Sequence, residues 1–81
     1  LIPTELTHDV HQFASKRIED ALRIKEKQIR EDAIKEIFNE LSARYFPEGE
    51  ASPKFKKNDF KAAFKKVQSD VMRKMILDEN K

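Results

Sequence analysis

The sequence predicts an all-α fold, a three-helix, bundle-like domain with helices near residues 4–23, 27–45 and 58–78. Three observations predict it. In three separate stretches apolar residues recur at spacings of three and four, which places them on one face of a helix. No stretch alternates apolar and polar residues as a half-buried strand does. The one glycine and two of the three prolines fall together in Phe46–Pro53, a segment that cannot continue a helix and reads as a loop.

The first stripe runs through Leu6, Val10, Phe13, Ala14, Ile18, Ala21 and Leu22. Thr4 is the expected N-cap, with Glu5 in the first turn, where a carboxylate meets the positive end of the helix dipole. The second stripe runs through Ile29, Ala33, Ile34, Ile37, Phe38, Leu41 and Tyr45. Arg23 to Lys27 contains neither glycine nor proline, so the break is read from the phase of the two stripes, with one long bent helix as the alternative. In the third stretch Asn58 or Asp59 is the expected cap, followed by Phe60, Ala63, Phe64, Val67, Val71, Met72 and Met75, and the helix ends near Asp78. Phe13, Phe38, Phe60 and Phe64 fall on these stripes and are expected in a shared core, where large rings dominate at roughly 25 cal/mol per Å² buried. Phe46 and Phe55 flank the loop.

Eighty-one residues make one domain, 1–81, and a chain this short buries only about 60% of its unfolded surface. With 38% apolar and 40% charged residues it is too apolar for disorder and too charged for a membrane protein. The longest apolar runs, two or three residues, fall far short of the roughly 20 that span a bilayer. The absence of cysteine excludes disulfides, thiolate zinc sites and a cysteine nucleophile. Glu5 and His8 have the Glu-x-x-His spacing of di-iron bundles, but such a site needs a second copy, and the remaining histidine, His11, supplies none. Solvent-exposed histidines and no metal site are therefore expected. Ser15 and Thr7 lie in no nucleophile-like turn, and no glycine-rich loop could cradle phosphate, so no catalytic residue is expected.

Charge is unevenly distributed. Lys54 to Lys66 reads KFKKNDFKAAFKK, holding Lys54, Lys56, Lys57, Lys61, Lys65 and Lys66 against Asp59 alone, whereas the whole chain carries only +2. Lys57, Lys61 and Lys65, four apart, line one side of the third helix, and a phosphate backbone could follow that row. A lysine-bearing face is ordinarily just solvated; against that, lysines in a first turn oppose the helix dipole, a cost consistent with selection for charge. Lys16 to Glu36 mixes seven basic with six acidic residues and reads as a solvated face laced with ion pairs.

Two strings, ALRIKEKQIREDAIKEI over Ala21–Ile37 and VMRKMILDENK over Val71–Lys81, resemble the helical linker of the polynucleotide phosphorylase (polyribonucleotide nucleotidyltransferase) family. The resemblance spans nearly the whole chain. It implies a segment cut from a longer enzyme, joining two ribonuclease PH-like cores of the same polypeptide. It further implies a parent that is a cytoplasmic homotrimer, bacterial or organellar, degrading single-stranded RNA by phosphorolysis from the 3′ end with magnesium or manganese. No catalytic, phosphate or metal ligand of that enzyme falls in this stretch, and no cofactor is expected here. The six lysines are not a family motif, so an RNA contact at them is an expectation from this sequence alone. The competing reading is an independent helical protein-protein interaction module, docking through off-stripe apolar residues such as Ile24 and Ile76. A DNA-binding helix-turn-helix fits less well, because Gly49 lies in a longer proline-bounded loop.

Overall fold

A computed structural model of the chain describes residues 1–49 and 53–79; Glu50–Ser52 of the expected loop, and Asn80–Lys81, lie outside the described residues. Three helices are present among them, α1 (Thr4–Leu22), α2 (Lys27–Tyr45) and α3 (Lys57–Glu79), in an elongated body of 46 × 26 × 17 Å. The break between α1 and α2 is real, which removes the single bent helix. The amides of Arg23 and Ile24 close α1 on the carbonyls of Asp20 (3.3 Å) and Ala21 (3.1 Å), and in the connection Arg30 Nη1 donates to the carbonyls of Ile24 (2.9 Å) and Lys25 (3.3 Å).

Both expected caps are displaced. Pro3, at φ −58° and ψ 130°, caps α1 in place of Thr4, and its carbonyl accepts the amides of Leu6 (3.1 Å) and Thr7 (3.2 Å). A proline suits that position because its missing N–H leaves no donor unmatched. Likewise α3 starts at Lys57, with the Phe60 amide on the Lys56 carbonyl at 3.0 Å, so Asn58 and Asp59 lie inside the first turn. Asp59 there favours the helix dipole and offsets part of the cost of Lys57.

The core is entirely apolar among the described residues. Leu6, Val10, Ala14 and Ile18 of α1 are wholly excluded from solvent, Ala21 nearly so, and they face Phe60, Ala63, Phe64, Val67 and Val71 of α3. Helix α2 adds Ile37 and Leu41. α1 packs against both other helices, chiefly α3, while α2 and α3 stand apart along most of their length. They meet mainly through rings: Phe38 lies 5.0 Å from Phe60 and 5.2 Å, edge-on, from Phe64, and Tyr45 lies 5.6 Å from Phe60. Phe46 and Phe55 join this cluster, 5.8 Å from Phe60 and 5.9 Å from Tyr45 respectively. Tyr45 Oη is buried, and burial raises its pKa above the usual phenol value.

Three residues of the expected stripes are not in it. Phe13 is 45% exposed and carries the Arg44 guanidinium 4.2 Å above its ring centre. At 100° per residue it stands roughly 80° from the centre of the buried α1 line, on the flank rather than in the seam. Met72, also 45% exposed, stands roughly 120° from the buried α3 line. Ile29 is exposed as well. Arg17 of α1 is hydrogen-bonded to Glu40 of α2, and this pairing holds the Glu40 carboxyl below the usual carboxylate range.

Phe60→Ala should therefore lower stability by about 3–5 kcal/mol, the cost of deleting a fully buried ring, while Phe13→Ala should cost less than about 1 kcal/mol; urea titrations of both variants decide it. Because Glu40 has a lowered pKa in the folded chain, its contribution is present at neutral pH and lost as pH falls through that value. The difference in Tm between the wild-type chain and Glu40→Gln should accordingly be constant near neutral pH and shrink toward zero as pH falls below the ordinary glutamate pKa.

Candidate nucleic-acid interface

The six lysines separate into two groups once folded. Lys54 Nζ lies 2.5 Å from Glu5 at the start of α1 and 5.4 Å from the centre of the Phe55 ring, and the Glu5 hydrogen bond raises its pKa above the usual lysine value. Lys66 pairs with Asp70 one turn along α3, at 3.2 Å. Both are thus partly neutralised. Lys56, Lys57, Lys61 and Lys65 are exposed and make no ion pair among the described residues. Lys57, Lys61 and Lys65 form the row along α3 that their four-residue spacing predicts.

This row passes two concavities. At the entry to α3, Phe46, Phe55, Lys54, Lys56 and Lys57 line a hollow of about 670 Å³. Further along, α2 and α3 diverge around a groove of about 620 Å³. Ile34, Phe38 and Phe64 form its apolar floor, Lys61 and Lys65 its α3 wall, and Lys35 and Glu31 its α2 wall; Asn58 and Gln68 stand at the two ends of the α3 wall. Lys35 was hidden in the sequence inside the mixed-charge run Lys16–Glu36, and Asn58 behind its reading as a cap. No local signal marks either, since only the crossing of α2 over α1 carries Lys35 to the groove. Gln68 lies seven residues beyond Lys61 and three beyond Lys65, and extending the row by i+3 would have found it.

His8 and His11 are exposed, and Glu5 is engaged by Lys54 rather than facing His8 as a paired ligand. Among the described residues no group of three or more His, Cys, Asp or Glu side chains could hold a metal ion, and no helix is long and apolar enough to cross a membrane. Ile24 is half-buried at the α1–α2 corner, while Ile76 is 53% exposed near the end of α3.

Fold and surface together define a small all-α domain in which the lysine-bearing half of α3 lies beside an open, apolar-floored groove. Comparison with known proteins is more specific: the family model described as polyribonucleotide nucleotidyltransferase, RNA binding domain, matches residues 5–81, and the chain belongs to that family. The polyribonucleotide nucleotidyltransferase of Protochlamydia amoebophila (strain UWE25) is 43% identical over 79 residues, 98% of this chain and 11% of that protein. That of Rickettsia canadensis (strain McKiel) is 33% identical over 81 residues, again 11% of its length, and that of Brucella anthropi is 38% identical over 61 residues, 75% of this chain and 9% of that protein. The chain therefore spans about a tenth of the length of the curated relatives it matches. No solved structure matches it. The family read from Ala21–Ile37 and Val71–Lys81 is borne out, and an independent interaction module gives way to it.

The pairing of Lys54 with Glu5 has a measurable consequence. Glu5→Gln releases one cation beside the lysine row; if that row engages single-stranded RNA, the dependence of log affinity on log salt should steepen by about 0.7. A salt series of binding isotherms checks it.

Proposed function

We propose that this chain is the helical linker domain of a polynucleotide phosphorylase, joining two ribonuclease PH-like cores of one polypeptide, and that the α3 lysines contact single-stranded RNA. The observation that carries the reading is the row Lys57, Lys61 and Lys65, extended by Lys56 and without an ion pair among the described residues, on a chain whose family is described by RNA binding. Lys54 and Lys66 flank the row as secondary contacts, since each must first leave a carboxylate. Each phosphate neutralised by a lysine releases condensed counterions, which drives binding at low salt without reading sequence.

The parent activity in this reading is 3′-to-5′ phosphorolysis of RNA by inorganic phosphate, in a homotrimeric ring in the cytoplasm. A divalent ion, magnesium or manganese, belongs to the cores: the described side chains of this chain do not fit one, and no step through a metal is assigned to them. The chain's own part is mechanical and electrostatic. Its rigid apolar core holds two neighbours at a set separation, and its basic face raises the local concentration of an anionic strand near them.

Replacing Lys57, Lys61 and Lys65 together by alanine should weaken binding of a fluorescent oligouridylate and lower the magnitude of its salt slope by about 2, at about 0.7 per contact. Alanine is a good helix former, so α3 persists. Fluorescence anisotropy across a salt series reads both quantities, and an unchanged slope rejects the contact.

A further inference from the structure

We propose that the groove between α2 and α3 is a nucleobase site, in which an unstacked base of single-stranded RNA lies against Phe38 and Ile34 while Lys35 and Lys61 hold the phosphates on either side of it. The inference rests on the RNA reading above and adds to it a place and a chemistry for the base.

The groove differs from the lysine row in kind. A row of ammonium groups on one helix can follow a backbone but has nothing to offer a base. Here cations stand on opposite walls, Lys35 on α2 and Lys61 and Lys65 on α3, with an aromatic and aliphatic floor between them. That arrangement supplies both halves of single-strand recognition: charge for the backbone, and a ring on which any base can stack. Phe38 is suited to the role because it is half-buried and held by two neighbours, 5.0 Å from Phe60 and 5.2 Å from Phe64, so little side-chain freedom is lost on binding. Asn58 and Gln68 bound the α3 wall, and each amide offers a donor and an acceptor that can pair with a base edge.

Size points to a short strand. The volume of about 620 Å³ falls among sites for small ligands. From Asn58 to Gln68 the α3 wall extends only about 15 Å, whereas a fourth helix as long as α2 would run about 28 Å. One or two nucleotides fill such a groove. An amphipathic acidic helix shares the charge complementarity but would overhang it.

Two fluorescent oligomers with the same ribose-phosphate backbone, one an oligoadenylate and the other lacking bases, separate the possibilities when titrated into the chain. The nucleobase site predicts that the oligoadenylate binds at least about fivefold more tightly. It also predicts that Phe38→Leu, which keeps an apolar floor but removes the ring, brings the two within about twofold. Circular dichroism establishes that this variant is folded, and the surface pair Asn58→Ala/Gln68→Ala, which leaves the core untouched, should narrow the ratio as well. Equal affinity for the two oligomers, with normal salt dependence, overturns the base site and leaves the lysine row intact. No salt-dependent binding to either overturns both. Amide shifts at Ile34, Phe38 and Lys35 induced by an acidic amphipathic peptide but not by RNA assign the groove to a protein partner and overturn the proposal.

Discussion

Everything in this fold depends on the packing of one face of α1. Leu6, Val10, Ala14 and Ile18 are fully withdrawn from water, and α1 is the helix that packs against both others. Two small residues in that line, Ala14 and Ala21, permit close approach to the bulkier α3 face of Phe60, Phe64 and Val67. With no polar group among the described core residues, the seam is held by apolar burial and close packing alone. Arg17 with Glu40 ties α1 to α2, and Lys54 with Glu5 ties the segment leading into α3 to the start of α1. Being exposed, such pairs add little stability.

A central α1 has a geometric consequence for the outer helices. α2 presents apolar residues to two neighbours, Ile37 and Leu41 toward α1 and Ile34 and Phe38 toward α3, and only the first contact is closed. The incomplete second contact leaves the groove. Its floor is core material left partly uncovered, and its walls are the polar flanks that any amphipathic helix carries beside its apolar stripe. The domain thus obtains an aromatic-floored, lysine-walled surface from the way three helices share a two-layer core, without a dedicated loop.

The same packing redistributes charge. A local excess of lysine in Lys54–Lys66 becomes, in three dimensions, four cations without an ion pair among the described residues and two engaged ones, because Glu5 and Asp70 are brought within reach of Lys54 and Lys66. Lys35 then joins from another helix. The patch so formed differs in membership from the run in the sequence.

The amino-acid sequence by itself determined three helices within a residue or so of their observed ends, the α1–α2 break, the lysine row on α3 and the family. All of these are written in local spacing, since residues three and four apart share a face whatever the tertiary fold. The caps were misread for a local reason of another kind: Pro3 and Lys56 supply the capping carbonyls through backbone geometry, which no side-chain preference reveals. Only the tertiary structure decided that Phe13 lies under Arg44 instead of in the core, that Lys54 is bound to a carboxylate 49 residues away, and that Lys35 faces Lys61 and Lys65 across a groove. Those facts depend on where helices cross, and crossing is set by the complementarity of whole faces rather than by any residue's near neighbours.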